Sequence, residues 1–307
     1  MRMLSTILST LLLWCAVSSM LFAANRIAIF DYDLRTADDP GVGPYLQHKL
    51  KTWKPDIELK YISANGDSER AVTLLKELDS QRWDLIVTIT TDAMLLARHQ
   101  LIKTPFIFTN VNNPKVFGIE DRGGEGRNFS GASYYVPIKK QLQFFKRIQP
   151  GIERVGFLFD PSNRSMQAEA REARQACLDL AISFRYRRVN TDAELKEAAD
   201  YLIKAGSDAL IATSSGKIYM NMPVLLEVAD NYGIPIYSFN ARGVDGGAVA
   251  ALSSNYWEMI DELVMPRIKA VIDGGQKVHE LEIGYPKNHQ MKVNEQSLER
   301  HGLIPPW

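Results

Sequence analysis

Six clusters of hydroxyl, amide and carboxylate side chains punctuate the sequence, each directly behind a short apolar run. They are Asp31, Tyr32 and Asp33; Thr90, Thr91 and Asp92; Asn110, Asn112 and Asn113; Asp160, Ser162 and Asn163; Thr213, Ser214 and Ser215; and Ser238 with Asn240. Side chains of this kind bind rather than react. Placed at a helix start they cap free backbone N–H groups, and beside the positive helix end they can hold a carboxylate for about 0.3–1 kcal/mol per helix. Capping is the ordinary task of any one of them; six converging on one groove would make a ligand site. A micromolar ligand needs about −8 kcal/mol, more than two or three helix ends supply. Tyr32, Tyr134, Tyr135, Tyr237 and Phe239 stand beside the polar clusters and could add aromatic packing.

The motifs that mark common catalytic sites are missing. The histidines, at 48, 99, 279, 289 and 301, lack the spacing of a metal-binding helix or turn. There is no phosphate loop, no G-x-S-x-G elbow and no cysteine pair. The stretch "GGEGRNFSG" precedes a strand instead of joining strand to helix, so it is not a dinucleotide fingerprint. No catalytic residue, metal or cofactor is therefore expected. With 36 basic and 36 acidic side chains the chain is neutral, without the basic footprint of a nucleic-acid binder.

The elements that must position these clusters alternate. "RIAIF", "LIVTI", "FIF", "VGFLF", "ALIAT" and "PIYSF" read as buried strands. Between them, Ala71, Leu74, Leu75 and Leu78 share a helical face, as do Ile138, Leu142, Phe145 and Ile148, and as do Ile218, Met222, Leu225, Leu226 and Ala229. Thr191 and Glu194 have the spacing of a capping box. Strand–helix alternation predicts parallel sheets covered on both faces, and it occurs twice: from Arg26 to about Gly131, and from the helix after Pro137 to about Ser238. In such sheets the ligand crevice lies at the carboxyl ends of the strands, where the polar clusters fall. A further strand and a helix follow, with Pro266 expected to kink that helix, then "ELEIGYP" as a returning strand and a last helix near "NEQSLERHGL". A chain of 307 residues suits two lobes, and the leftover elements fit if it crosses back between them.

The first residues read as a secretory signal peptide, residues 1–23: Arg2, an apolar stretch from Ile7 to Phe22, and small residues before a cut after Ala23. The alternative is an uncleaved anchor. Cys15 follows Trp14, where lipoprotein processing needs a small residue. Once the leader is gone Cys177 is the sole cysteine, expected as a buried thiol on a helix, so no internal disulfide supports the exported chain.

Three segments give the chain a family likeness: "DLIVTITTDAMLLARHQLIKTPFIFTNVNNPKVFGI", "GRNFSGASYYVPIKKQLQFFKRIQPGIERVGFLFDPSN" and "GIPIYSFNARGVDGGAVAALSSNYWEMIDEL". The sequence resembles the ABC transporter substrate-binding proteins of the tryptophan/tyrosine type. The resemblance implies a type I periplasmic binding fold: two doubly wound parallel-sheet α/β lobes joined by a hinge of three crossovers, near Tyr134, Ser253 and Val278. Lobe I would comprise residues 24–133 with 254–278, and lobe II residues 134–253 with 279–307. It further implies that Asp31, Tyr32, Thr90, Thr91, Asn110, Asn112, Ser133, Tyr134, Ser214 and Asn240 line the cleft. The family commonly has an acid where this chain has Asn240, facing a ligand amino group. An unpaired ammonium in a closed cleft is costly, so Asp31, Asp92 or Asp245 would have to replace that acid.

The function implied is that of a monomeric, exported, periplasmic or extracellular protein that captures a small polar or aromatic, amino-acid-like molecule for a membrane permease. A sensor feeding a membrane receptor kinase would use the same cleft. An exported enzyme of this shape would need an essential carboxylate such as Asp31 or Asp92.

Overall fold

A computed structural model describes residues 25–33, 41–123 and 126–307. The leader assignment, Cys15 and residues 34–40 lie outside the described residues. Five strands form the first sheet: β1 (Arg26–Asp31), β2 (Glu58–Ser63), β3 (Leu85–Ile89), β4 (Phe106–Val111) and β5 (Phe129–Ser133). Their order is β2-β1-β3-β4-β5, and all pairs are parallel. The second sheet holds β6 (Arg154–Phe159), β7 (Ser183–Arg188), β8 (Ala209–Ala212) and β9 (Ile236–Ser238) in the order β7-β6-β8-β9, again parallel throughout. Beyond β9, β10 (Ala250–Ser253) pairs antiparallel with β11 (Gln290–Val293).

Each sheet is covered on both faces, which is why its central strands are continuous apolar runs. Against the first sheet pack Ala71, Leu75, Leu78, Met94 and Ala97 on one face, and Leu46, Leu50, Ile260, Val264 and Ile268 on the other. Against the second pack Ile138, Leu142, Phe145, Ile148, Ala173 and Cys177 on one face, and Leu195, Leu202, Met222 and Leu225 on the other. The architecture is thus the expected two-sheet, doubly wound α/β class.

Two edge strands of these sheets escape the sequence reading. β2 and β7 are edge strands, exposed or half-exposed along their length, and "ELKYIS" and "SFRYRR" carry no apolar run. An edge strand needs only one covered face, so hydropathy alone does not reveal it.

The chain's path between the sheets is visible in its packing. After β5 it enters the helix Ile138–Ile148 of the second core, and after β10 the segment from Tyr256 returns to the first sheet, where Met259, Ile260 and Val264 meet Ile27 and Ile29. The third crossing falls between Tyr285 and Gln290, later than the implied Val278. Residues 278–285 remain on the first sheet: Ile283 N donates to Asp121 O at 2.8 Å, Gly284 N to Gly131 O at 2.8 Å, and Ser133 N to Gly284 O at 2.9 Å. "ELEIGYP" is therefore not the returning strand. It satisfies the open edge of β5 by a parallel bridge at Ala132, and the returning strand is β11.

Pro266 acts through helix type. The helix that starts at Tyr256 passes through a π-helical segment, Ile260–Val264, directly before the helix Met265–Ile272, whose first turn holds the proline. An i→i+5 turn absorbs the missing N–H donor. At Thr191 the capping box does not form. The helix starts at Glu194, whose Oε2 instead accepts from Asn190 N at 2.8 Å and Nδ2 at 3.1 Å.

Candidate ligand pocket

Where the carboxyl ends of the two sheets face each other lies a pocket walled by both sheets and by the segments that join them. The first sheet contributes Asn112, Asn113 and Val116. The second contributes Ser165, Ala168, Glu169, Glu172, Ser214 and Phe239. The back wall comes from the connecting segments: Tyr134, Tyr135 and Val136 with Ile138 and Gln141, and Ser253, Ser254 and Tyr256.

Of the ten residues nominated for the cleft, Asn112, Tyr134 and Ser214 line this pocket. The other seven hold the structure around it. Asp31 is fully buried and its Oδ2 accepts from Tyr61 OH at 2.8 Å. Tyr32 OH donates to Gly66 O at 3.0 Å and meets Ser68 Oγ at 2.7 Å, pinning the next turn. Thr90 caps the helix Thr91–Gln100, accepting from Ala93 N at 3.3 Å with φ at 92°. Thr91 Oγ1 accepts from Asn112 N at 3.1 Å, so it supports a lining residue without lining the pocket itself. Asn110 takes the left-handed backbone, φ 54°, which turns the chain toward Asn112. Ser133 is buried, donates to Val111 O at 2.9 Å and accepts from Tyr135 N at 3.0 Å, fixing the exit from β5. Asn240 Oδ1 caps its helix by accepting from Arg242 N at 2.9 Å, and its Nδ2 donates to Tyr256 OH at 3.3 Å.

The proposed substitutes for the missing acid are also occupied elsewhere. Asp92 pairs with Arg164 at 2.5 Å, and Asp245 pairs with Lys292 at 2.5 Å. The Asp92–Arg164 pair spans the two lobes beside the pocket. Burial pushes the Asp92 carboxyl above its usual range even though the guanidinium pulls it down.

The chemistry that sequence reasoning missed sits on the helix Met166–Asp179. Glu169 is 7% exposed; its Oε1 accepts from Ser214 N at 3.1 Å and its Oε2 from Ser214 Oγ at 2.8 Å. Burial pushes this carboxyl up to about 7, against the pull of both Ser214 hydrogen bonds. One turn on, Glu172 Oε1 accepts from Tyr135 OH at 2.5 Å and from Ile138 N at 2.8 Å. The second bond caps the helix Ile138–Ile148, which has only Pro137 at its own cap position. A signal was available: Glu169 occupies the apolar stripe of Met166, Ala173 and Cys177, where a carboxylate is out of place unless it has a partner.

The aromatic wall is Tyr134, Tyr135, Tyr256 and Phe239. Tyr134 and Tyr256 meet edge-on with ring centroids 5.7 Å apart. Burial holds the Tyr134 hydroxyl well above its ordinary value and pushes that of Tyr256 up to about 12, so both stay protonated. Ser254 Oγ donates to Tyr134 O at 2.9 Å and ties the two connecting segments together. Among the described residues no group of His, Cys, Asp and Glu could hold a metal ion, and no helix is long and apolar enough to cross a membrane.

Two facing parallel sheets with a pocket between them define a bilobed solute-binding class, and the chain belongs to the family of ABC transporter substrate binding proteins, whose model matches residues 40–305. Members of that family bind solutes and are not enzymes. The chain is 24% identical over 202 residues to a tyrosine-binding protein of Clostridioides difficile; the match covers 66% of this chain and 58% of that protein, so it spans under two thirds of the relative's length. Its fold is shared with an ABC domain from Streptococcus pneumonia solved in complex with L-Trp, at TM-score 0.77 and 16% identity over 92% of this chain and 96% of that one. It is shared too with the ligand-free, open structure of a substrate binding protein with adhesive properties from Clostridium difficile, at TM-score 0.73 and 19% identity over the same shares.

Proposed function

We propose that this chain is the exported substrate-binding component of an ABC importer, capturing a small polar or aromatic, amino-acid-like molecule and presenting it to a membrane permease. The observation that carries the reading is the pocket itself: both sheets and the segments that join them contribute lining residues, so a ligand held there bridges the lobes. A ligand that touches both halves binds the closed arrangement better than the open one and shifts the population toward it. The Asp92–Arg164 pair and the Asn240–Tyr256 hydrogen bond join the halves in the same arrangement and support the reading.

The relatives that carry tyrosine or L-Trp support an aromatic ligand, as does a wall of three tyrosines and a phenylalanine. The test is native mass spectrometry of the chain purified from its own host, followed by uptake of the retained molecule in a strain lacking the chain. Retention of one small molecule, unconverted on incubation, and loss of its uptake are expected. Conversion of the molecule, or unchanged uptake, would refute the proposal.

A further inference from the structure

Among the described residues the pocket is lined by two carboxylates, Glu169 and Glu172, and by no Lys, Arg or His side chain. Glu172 is committed to Tyr135 and Ile138, so it belongs to the wall. Glu169 differs. Ser214 is the partner of both its oxygens, yet each carboxylate oxygen can accept a second hydrogen bond. A second acceptor stands in the same pocket. Gln141 is 4% exposed, its Nε2 is fixed on Val136 O at 3.0 Å, and its Oε1 has no hydrogen-bond partner among the described residues. An unpaired buried acceptor is destabilising, and its natural complement is an N–H donor brought by the ligand.

From this geometry we infer that the ligand carries a cationic nitrogen with N–H donors, an ammonium or amidinium, seated on Glu169 with Gln141 Oε1 as its second acceptor. The inference rests on the binding reading above and names the chemistry of that site. Asp31, Asp92 and Asp245 are engaged with Tyr61, Arg164 and Lys292, and Asn240 with its own helix and Tyr256. That leaves Glu169, on the helix Met166–Asp179, as the pocket carboxylate with acceptor capacity to spare among the described residues.

Among the described residues the titratable groups around Glu169 are Glu172 on its own helix and Tyr134, Tyr135 and Tyr256 on the connecting segments, with Asp33, Tyr219 and Arg242 close enough to act on those tyrosines. A cation seated there favours the ionised carboxylate, so near pH 6.5 its binding releases a proton to buffer. Calorimetry in buffers of different ionisation enthalpy reads that release without any mutation.

The experiment uses matched probes on the full mature chain: tyramine against N-acetyltyramine, L-tyrosine against N-acetyl-L-tyrosine, L-tryptophan against N-acetyl-L-tryptophan, and whatever molecule the host-purified protein retains. Thermal shift and calorimetry are measured for the wild type and for E169Q, whose amide oxygen can still accept from Ser214 N while its N–H donates to Ser214 Oγ. The inference holds if every binder has a cationic nitrogen, acetylation abolishes binding, and E169Q weakens it at least tenfold with an unchanged fold by circular dichroism. It is overturned, with the binding reading intact, if an acetylated or otherwise uncharged molecule binds as well, or if a folded E169Q binds like the wild type. If no probe binds and nothing is retained, the binding reading falls and takes this inference with it.

Discussion

Substituting Glu169 also makes a prediction that needs no ligand. The carboxyl titrates at about 7 in the folded chain against 4.5 when unperturbed, a gap worth about 3 kcal/mol. Because the folded value is the higher one, the folded state holds the proton more tightly. Its contribution to stability is fully present below pH 4.5 and is lost as pH rises through about 7. E169Q is uncharged throughout and lacks this dependence. The difference in unfolding free energy, wild type minus E169Q, should therefore fall by about 3 kcal/mol between pH 4.5 and pH 8, while other carboxylates cancel in the subtraction. Urea unfolding of both proteins at half-unit pH intervals gives the curve directly. A difference that stays flat within about 0.5 kcal/mol would show that the Glu169 carboxyl is already well solvated in the folded chain. The account of Glu169 as a desolvated carboxyl would then be wrong.

Other outcomes follow from the same contacts. The Asp92–Arg164 pair is 32% and 45% exposed at its side chains, so it contributes about 0.2–1 kcal/mol to the closed arrangement; R164A should weaken binding of the retained molecule by up to about fivefold at low salt, an effect that 1 M salt removes. E172A removes the acceptor of Tyr135 OH and of Ile138 N at once and should cost about 1–3 kcal/mol, read as a lower Tm by calorimetry. Gly131 has no room for a methyl group, because a Cβ there would overlap the Phe108 backbone oxygen; G131A should cost about 1–3 kcal/mol in a urea titration. Burial pushes the Cys177 thiol up to about 12, so a disulfide reagent should leave the native protein unlabelled and react fully once urea unfolds it.

The two-sheet fold was legible because parallel strands buried on both faces leave unmistakable apolar runs, as at "RIAIF" and "LIVTI". Edge strands β2 and β7 were not, since half of each faces water. The site was legible at the level of loops. The turn after β4 and the turn after β8 do reach the pocket, through Asn112 and Ser214. What sequence could not decide is which polar residue in a cluster faces inward: Thr91 and Asn112 share one hydrogen bond, and only the second lines the cavity. Glu169 and Gln141 were overlooked for a different reason. Strand ends drew the attention, whereas these two project from the flanks of helices into the same space.

Tyr134 and Tyr256 do double duty, since they form the wall of the pocket and also stand on the stretches of backbone that carry the chain from one half to the other. On the proposed function, a change at either ring acts on the joints between the halves as well as on the ligand, whereas Asn112 and Phe239, each belonging to one half alone, can change the wall without touching the joints.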